Sequence, residues 1–400
     1  MTGQSMRLAD LLLTTKDGDW GSDEPAPEHS PFYVIRGADF PEARERRVDR
    51  VPLRYLPDKT VHRRTLVAND ILLETAGGTP DRPTGRTLLV TQDLLDQFDS
   101  PVTCASFARF LRADPALVDP GYLFWYLQAI YAAGETFEYQ VQHTGVARFQ
   151  YTAFAQNKQI PLPCVSQQQG IAEVLGALDD KIAANTSLTE AADELSRVVF
   201  TSMLNNTTSR ALSDVADFVN GKAFTKDASG TGRVVIRIAE LNSGLGGSTV
   251  YNDIDVADQY LARPGDLLFA WSGSLTLHRW FRAEGIINQH IFKVLPKDGY
   301  PTWCVNGLLV RKLDEFKGIA ADKATTMGHI QRRHLDEPVD VPVAWQIERN
   351  DRFMTSLWQR ALAAEEESLG LMTMRDALLP QLMSGKIWVR DVAQRVGDVV

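Results

Sequence analysis

Two segments of the 400-residue chain repeat apolar residues in steps of three and four for much longer than an ordinary globular helix. In the first, Ile171, Val174, Leu178, Ile182, Leu188, Ala192, Leu195 and Val199 recur with one break at Asn185. This predicts a helix that is apolar along one stripe only, a pattern suited to a coiled coil. Ser166 and Gln169 stand in capping-box spacing ahead of it, and from Ser166 to Asn205 such a helix would run about 60 Å. The second segment offers Leu357, Ala361, Ala364, Leu371, Leu378 and Leu382, with Glu365, Glu366 and Glu367 on the polar side. Pro380 should kink or finish this helix, and Gly385 offers a stop. At Asn185 the seam carries either a buried, register-fixing amide or a solvated side chain on a helix that turns away.

The stretches between the helices read differently. Short β-rich runs, Phe32 to Arg36 and Val234 to Ile238 among them, alternate with turn clusters at 76–80 and 242–248. Helical stretches are expected at Tyr122 to Ala133 and Leu308 to Gly318. The two regions also echo each other. Tyr33-Val-Ile-Arg-Gly-Ala-Asp-Phe40 returns as Val234-Val-Ile-Arg-Ile-Ala-Glu-Leu241, and Asn69-Asp-Ile-Leu-Leu73 as Gly265-Asp-Leu-Leu-Phe269. Thr144-Gly-Val-Ala-Arg-Phe149 followed by Ile160-Pro-Leu-Pro163 returns as Thr325-Thr-Met-Gly-His-Ile330 followed by Asp340-Val-Pro342. Three blocks in the same order indicate duplication. The expected fold is α+β: two mixed α/β domains in pseudo-twofold repeat, separated by two long antiparallel helices forming a coiled coil. The boundaries are 1–163 for the first domain, 164–206 for the central helix, 207–343 for the second domain, 344–386 for the second helix and 387–400 for a tail.

Composition narrows the class of protein. With 44% hydrophobic and 23% charged residues the chain is expected to fold, not to be disordered. Cys104, Cys164 and Cys304 are too far apart for a metal motif or a disulfide framework, which favours a reducing compartment. No apolar run reaches the roughly 18 residues of a membrane span, and the N-terminus lacks the features of a signal peptide. A cytoplasmic location is expected.

The net charge of −9 excludes a uniformly basic nucleic-acid coat. The charge is uneven, however. Residues 164–209 carry 2 basic and 6 acidic side chains, which suits a protein partner better than DNA. Residues 44–64 instead hold Arg44, Arg46, Arg47, Arg50, Arg54, Lys59, Arg63 and Arg64 against Glu45, Asp49 and Asp58. The second domain gathers Arg311, Lys312, Lys317, Lys323, Arg332 and Arg333. Each cluster is either a solvated face or a phosphate-binding one. Thr75-Ala-Gly-Gly78 and Trp271-Ser-Gly-Ser274 follow strand-like runs, where small residues serve either a tight turn or a close approach to phosphate.

Catalytic signatures are missing from the sequence. There is no phosphate-binding Gly-x-x-x-x-Gly-Lys-Ser/Thr loop, no Gly-x-Ser-x-Gly elbow and no His-Glu-x-x-His helix. His329 and His334, five apart, lack cysteine or carboxylate companions at matching metal-ligand distances. Asp298, Glu315 and Lys317 mimic a metal-dependent nuclease site, but Glu315 and Lys317 fall on an expected helix where that site uses a strand.

Taken together, the chain resembles the specificity subunits of type I restriction–modification systems. The resemblance covers nearly the whole chain. It is strongest over Ile160-Pro-Leu-Pro163 and Gln169-Gly-Ile-Ala-Glu-Val-Leu-Gly-Ala-Leu-Asp-Asp-Lys-Ile182, then at 33–40, Asn288-Gln-His-Ile-Phe-Lys-Val294 and Leu378-Leu-Pro-Gln-Leu-Met-Ser-Gly385. Val339-Asp-Val-Pro342 and Cys164 depart from the family's Pro-rich junctions. The resemblance implies a non-catalytic DNA reader with two target recognition domains, each for one half of a split, asymmetric site on double-stranded DNA. It implies docking to two copies of a methyltransferase subunit, which would use S-adenosylmethionine, and association with a motor-nuclease subunit. The chain itself would bind no cofactor and no metal. Expected DNA contacts are Trp20, Arg44, Arg46, Arg47, Arg63, Arg64, Thr75 and Arg86 in the first domain, and Lys222, Lys226, Trp271, Ser272, Gln289, His329 and Arg332 in the second. The tryptophans could equally be core residues. Expected partner contacts are Asp179, Asp180, Lys181, Asn185, Glu365 and Glu366. A metal-dependent nuclease and a coiled-coil adaptor without a DNA role are the alternatives.

Overall fold

A computed structural model describes residues 4–79, 82–143, 146–322 and 328–389. The chain divides into two compact units, residues 1–184 with 370–400, and residues 185–369. Each unit is a mixed α/β head together with its share of two long helices, Val165–Met203 and Ala344–Met383. Most of the tail, residues 390–400, lies outside the described residues, as do Lys323, Thr144, Gly145 and 325–327 of the third repeat block.

The first head is built on a four-stranded antiparallel sheet ordered Leu12–Asp17, Ala108–Ala113, Asp70–Glu74, Thr87–Leu89. A three-stranded sheet sets His29–Ile35 between Leu53–Pro57, antiparallel, and Val102–Cys104, parallel. The second head repeats this wiring. Its first sheet runs Ala216–Asn220, Ile291–Pro296, Leu267–Ala270, Thr276–Arg279. Its second sets Arg233–Ile236 between antiparallel Tyr251–Asn252 and parallel Gly285–Ile287, and differs in carrying a fourth strand, Leu261–Ala262, antiparallel to the last. A short antiparallel ladder closes each head, Gln4–Arg7 with Gln159–Leu162 and Thr207–Ala211 with Pro338–Pro342.

The repeated sequence blocks mark the local devices that build these sheets. In both heads an Arg-x-x-acid pair ends the parallel-paired strand and starts a short helix. Asp39 accepts hydrogen bonds from the Arg36 backbone N–H and guanidinium, and Glu240 does the same for Arg237. Each guanidinium then reaches one more carbonyl, of Arg50 or of Ser248. In the other block Asn69 (φ 73°) and Gly265 (φ 92°) take the left-handed conformation that the turn needs. The carboxylate that follows, Asp70 or Asp266, accepts from the backbone N–H three residues back and pairs with a cation on the neighbouring strand, Arg112 or Lys293.

The two long helices pair antiparallel. In the first unit Ile171, Val174, Leu178 and Ile182 share a core with Leu371, Leu379 and Leu382. In the second, Phe200 and Met203 meet Ile347, Met354 and Trp358. A head helix joins each core, Pro120–Ala132 in one unit and Thr302–Asp322 in the other. The buried stripe is therefore wider than a two-helix seam and drifts along the central helix. Leu195 ends up exposed while Phe200 and Met203 are buried. Gly307 makes room for the Phe200 ring, since a Cβ there would lie 2.7 Å from it. On the distal helix Leu357 and Leu378 are only partly buried, and Trp358 and Leu379 carry more of the contact.

Several local expectations are corrected. The central helix begins at Val165, and the Cys164 carbonyl accepts from the N–H groups of Gln167 and Gln168, so Ser166 lies inside the first turn rather than at a capping box. The Gln168 side chain instead ties the helix to the head, accepting from the Asp119 N–H and donating to the Pro163 carbonyl. The distal helix runs through Pro380 to Met383. It stops in a Schellman turn, with Lys386 N–H on the Gln381 carbonyl, Gly385 N–H on the Leu382 carbonyl and Gly385 at φ 69°. Ala76–Gly78 forms a strand paired with Val146–Phe149, not a turn, and Ile238 opens a helix instead of ending a strand.

Candidate nucleic-acid interface

Most of the basic cluster at 44–64 makes ion pairs or hydrogen bonds inside its own unit. The Arg44 guanidinium donates to Asp179 on the central helix at 2.5 Å and lies over the rings of Phe124 and Trp125. Arg46 bridges Asp180 at 2.6 Å and Asp93 at 3.0 Å. Arg375 holds Asp179 from the distal helix at 2.7 Å. Arg47 pairs with Glu45, and Arg64 caps the carbonyls of Asp17 and Gly18. Arg86 is bound to Glu74 and to the Gly37 carbonyl, both inside the head. Trp20 is partly covered by the guanidinium of Arg54, 4.4 Å from the ring centre. Lys59 and Arg63, on the helix Asp58–Arg64, remain exposed.

The acidic residues expected to face a partner are engaged in the same way. Asp179 and Asp180 serve the arginines just named, and burial lifts the Asp180 carboxyl above its ordinary range while Arg46 pulls it back. Glu365 accepts from Arg279 at 2.7 Å, and the same guanidinium reaches Asp193 at 3.1 Å. Asn185 is buried and donates to Glu367 at 2.7 Å, placing an amide inside the helix pair. Lys181 is half-buried, and Glu366 is exposed.

In the second head the expected residues lie at neighbouring strand ends and turns. Trp271 stacks on Phe292, donates its indole N–H to Asn220 at 2.8 Å, and is flanked by the rings of His290 and His329. Ser272 is buried and bridges to His329. Lys222 is exposed over the Tyr260 ring, and its carbonyl accepts from the Gln289 N–H. Lys226, Gln289 and Arg332 are exposed. His334 is buried, and its Nδ1 accepts from the Gln331 N–H, so it serves the turn.

In the first head the matching rim contains Thr75, half-buried, and residues that the sequence did not single out. Arg109 holds Asp17 at 2.7 Å and covers the Tyr151 ring, while Phe107 and Arg148 are exposed. His290 and Asn220 were likewise not singled out in the second head. The repeat itself held the missing signal, since these residues follow or precede the matched strands. Glu315 and Lys317 sit on the helix Thr302–Asp322, where each pairs with a neighbour on that helix, Glu315 with Lys312 and Lys317 with Asp314. Among the described residues no group of three or more His, Cys, Asp or Glu side chains could hold a metal ion, and no helix is long and apolar enough to cross a membrane.

No protein-family model matches the chain. No curated protein matches it either. Among solved structures, the type I restriction–modification system S subunit of M. genitalium superposes with a TM-score of 0.60 at 14% identity, covering 96% of each chain. The HsdS subunit of Thermoanaerobacter tengcongensis gives a TM-score of 0.37 at 16% identity over 97% of this chain and 98% of that one. A chain from a study of type I R-M complex assembly and conformational transition gives 0.37 at 17% identity over 96% and 98%. The M. genitalium likeness is one of fold: the chain has the S-subunit architecture of two mixed α/β heads and two long helices.

Proposed function

We propose that the chain is the DNA specificity subunit of a type I restriction–modification system, a non-catalytic cytoplasmic reader of a bipartite, asymmetric site. The observation that carries this is the duplicated head, in which strand order and turn clamps repeat while the exposed rim does not. One scaffold used twice with two different rims suits two unrelated half-sites. The fold likeness to the M. genitalium S subunit supports the same reading.

On this reading the exposed cations Lys59, Arg63, Lys222, Lys226 and Arg332 contact phosphates and position the heads, while rim side chains read base edges. The helices dock two copies of a methyltransferase subunit. S-adenosylmethionine belongs to that subunit, and cleavage to a separate motor-nuclease. Because Asp179 and Glu365 are mostly buried and held by arginines of their own chain, docking falls to exposed positions such as Asp180 and Glu366.

Methylome sequencing of cells expressing the chain with its methyltransferase tests the proposal. The expected result is one split motif with an unread spacer. In vitro, affinity of the complex for duplex DNA should fall by a factor of about 10³ or more between 50 and 200 mM salt. Weak binding indifferent to salt would mark a coiled-coil adaptor. Mg²⁺-dependent cleavage by the purified chain, lost in Glu315→Ala, would mark a nuclease.

A further inference from the structure

We infer that both heads read DNA through the same rim of the fold, with Arg148 contacting a guanine in one half-site and Gln289 an adenine in the other. The inference rests on the specificity-subunit reading and assigns the base-reading groups within it.

Backbone hydrogen bonds identify the equivalent positions. The Thr75 N–H donates to the Phe107 carbonyl, and the Phe149 N–H to the Thr75 carbonyl, both at 2.8 Å. In the second head the Trp271 N–H donates to the His290 carbonyl at 3.1 Å and the Ile330 N–H to the Trp271 carbonyl at 3.2 Å. Thr75, Phe107 and Arg148 thus occupy the places of Trp271, His290 and His329. The ladders extend the match, since Asp17 stands opposite Arg109 and Asn220 opposite Phe292.

Directly beneath this rim the two heads are alike. A Cβ on Gly18 would lie 1.9 Å from the Cys104 carbonyl oxygen, and one on Gly221 would lie 2.2 Å from that of Asn288, so both turns require glycine. At the rim itself the chemistry changes at every pair. An ion pair, Asp17 with Arg109, becomes an amide with an aromatic ring, Asn220 with Phe292. A threonine becomes a tryptophan, a phenylalanine a histidine, and an arginine a histidine. Each set forms a fixed floor, Arg109 clamped between Asp17 and the Tyr151 ring, Trp271 between Asn220 and Phe292.

Exposed groups stand beside each floor, Phe107 and Arg148 in one head, Gln289 and His290 in the other. His290 holds a left-handed φ of 73° at its turn, a conformation uncommon outside glycine. Rigid support under exposed hydrogen-bonding side chains is what base reading requires. The chemistry then follows from geometry: an arginine fork matches guanine O6 and N7, and a glutamine amide matches adenine N6 and N7.

The test is the methylome of the full chain with its methyltransferase, as wild type, Arg148→Ala and Gln289→Ala. Both side chains are exposed, so both variants should melt like the wild type. Arg148→Ala should relax a guanine position in one half-motif by about tenfold or more, leaving the other half intact. Gln289→Ala should relax an adenine position in the other half only. Unchanged motifs in both variants, relaxation at other bases, or the same half altered by both would overturn the assignment. A wild type that marks no split motif would overturn the specificity-subunit reading, and this inference with it.

Discussion

In the second unit Arg279 ties a strand of the head to both long helices. Its side chain is 5% exposed, binds Glu365 and Asp193, and lies over the Trp358 ring. Burial pushes the Glu365 carboxyl above its ordinary range, and the guanidinium pulls it back. Arg279→Met removes that pull and leaves a mostly buried carboxylate uncompensated, which should cost about 2–4 kcal/mol at neutral pH. The sign with pH follows by linkage. A carboxyl whose folded pKa lies above its unfolded one costs stability at high pH, and the cost disappears on protonation. The variant's deficit should therefore be largest near pH 7 and shrink as pH falls toward 4. Urea unfolding at pH 7 and pH 5 checks it, and a deficit that grows on acidification would contradict the assignment.

Among the elements, the crossing of the helix Thr302–Asp322 with the central helix gives the sharpest expectation. An interior helical glycine is ordinarily improved by alanine, by about 0.5–1 kcal/mol. At Gly307 the added Cβ would meet the Phe200 ring at 2.7 Å, and that ring is buried. Gly307→Ala should therefore destabilise by about 1–3 kcal/mol, as overpacking does. Gly318, on the same helix with open space around its Cβ position, serves as the control, and Gly318→Ala should be neutral or stabilising. Thermal melts of the two variants side by side decide the matter.

For the whole molecule, duplication makes the heads interchangeable in principle. Replacing residues 1–163 by those of a related chain should change one half of the methylated motif and leave the other half as it was. Methylome sequencing reads both halves at once, and a change in both would mean that the halves are not read independently. The junction falls where Gln4–Arg7 pairs with Gln159–Leu162, immediately ahead of the central helix. The incoming head must keep the contacts to that helix that Arg44 makes with Asp179 and the Asp119 N–H with Gln168.

How much of this was legible beforehand follows from the range of each interaction. The long helices and the doubled heads could be read because apolar periodicity and turn motifs act over a few residues. The order of strands in each sheet depends on pairings between distant segments and could not be read. Arg36 with Asp39 and the Asp70 turn are local hydrogen-bonded devices, and both stand out as repeated words. The seam could be read only in part, because Phe200 is buried beside Gly307, more than a hundred residues away. The charged sites were least legible. Arg44 and Asp179 are 135 residues apart in the chain and Arg279 and Glu365 are 86, yet each pair forms an ion pair. Composition counts such charges, but only the folded chain decides which of them are neutralised by a neighbour and which are left to meet solvent or a ligand, because Coulomb attraction depends on distance in space and not along the sequence.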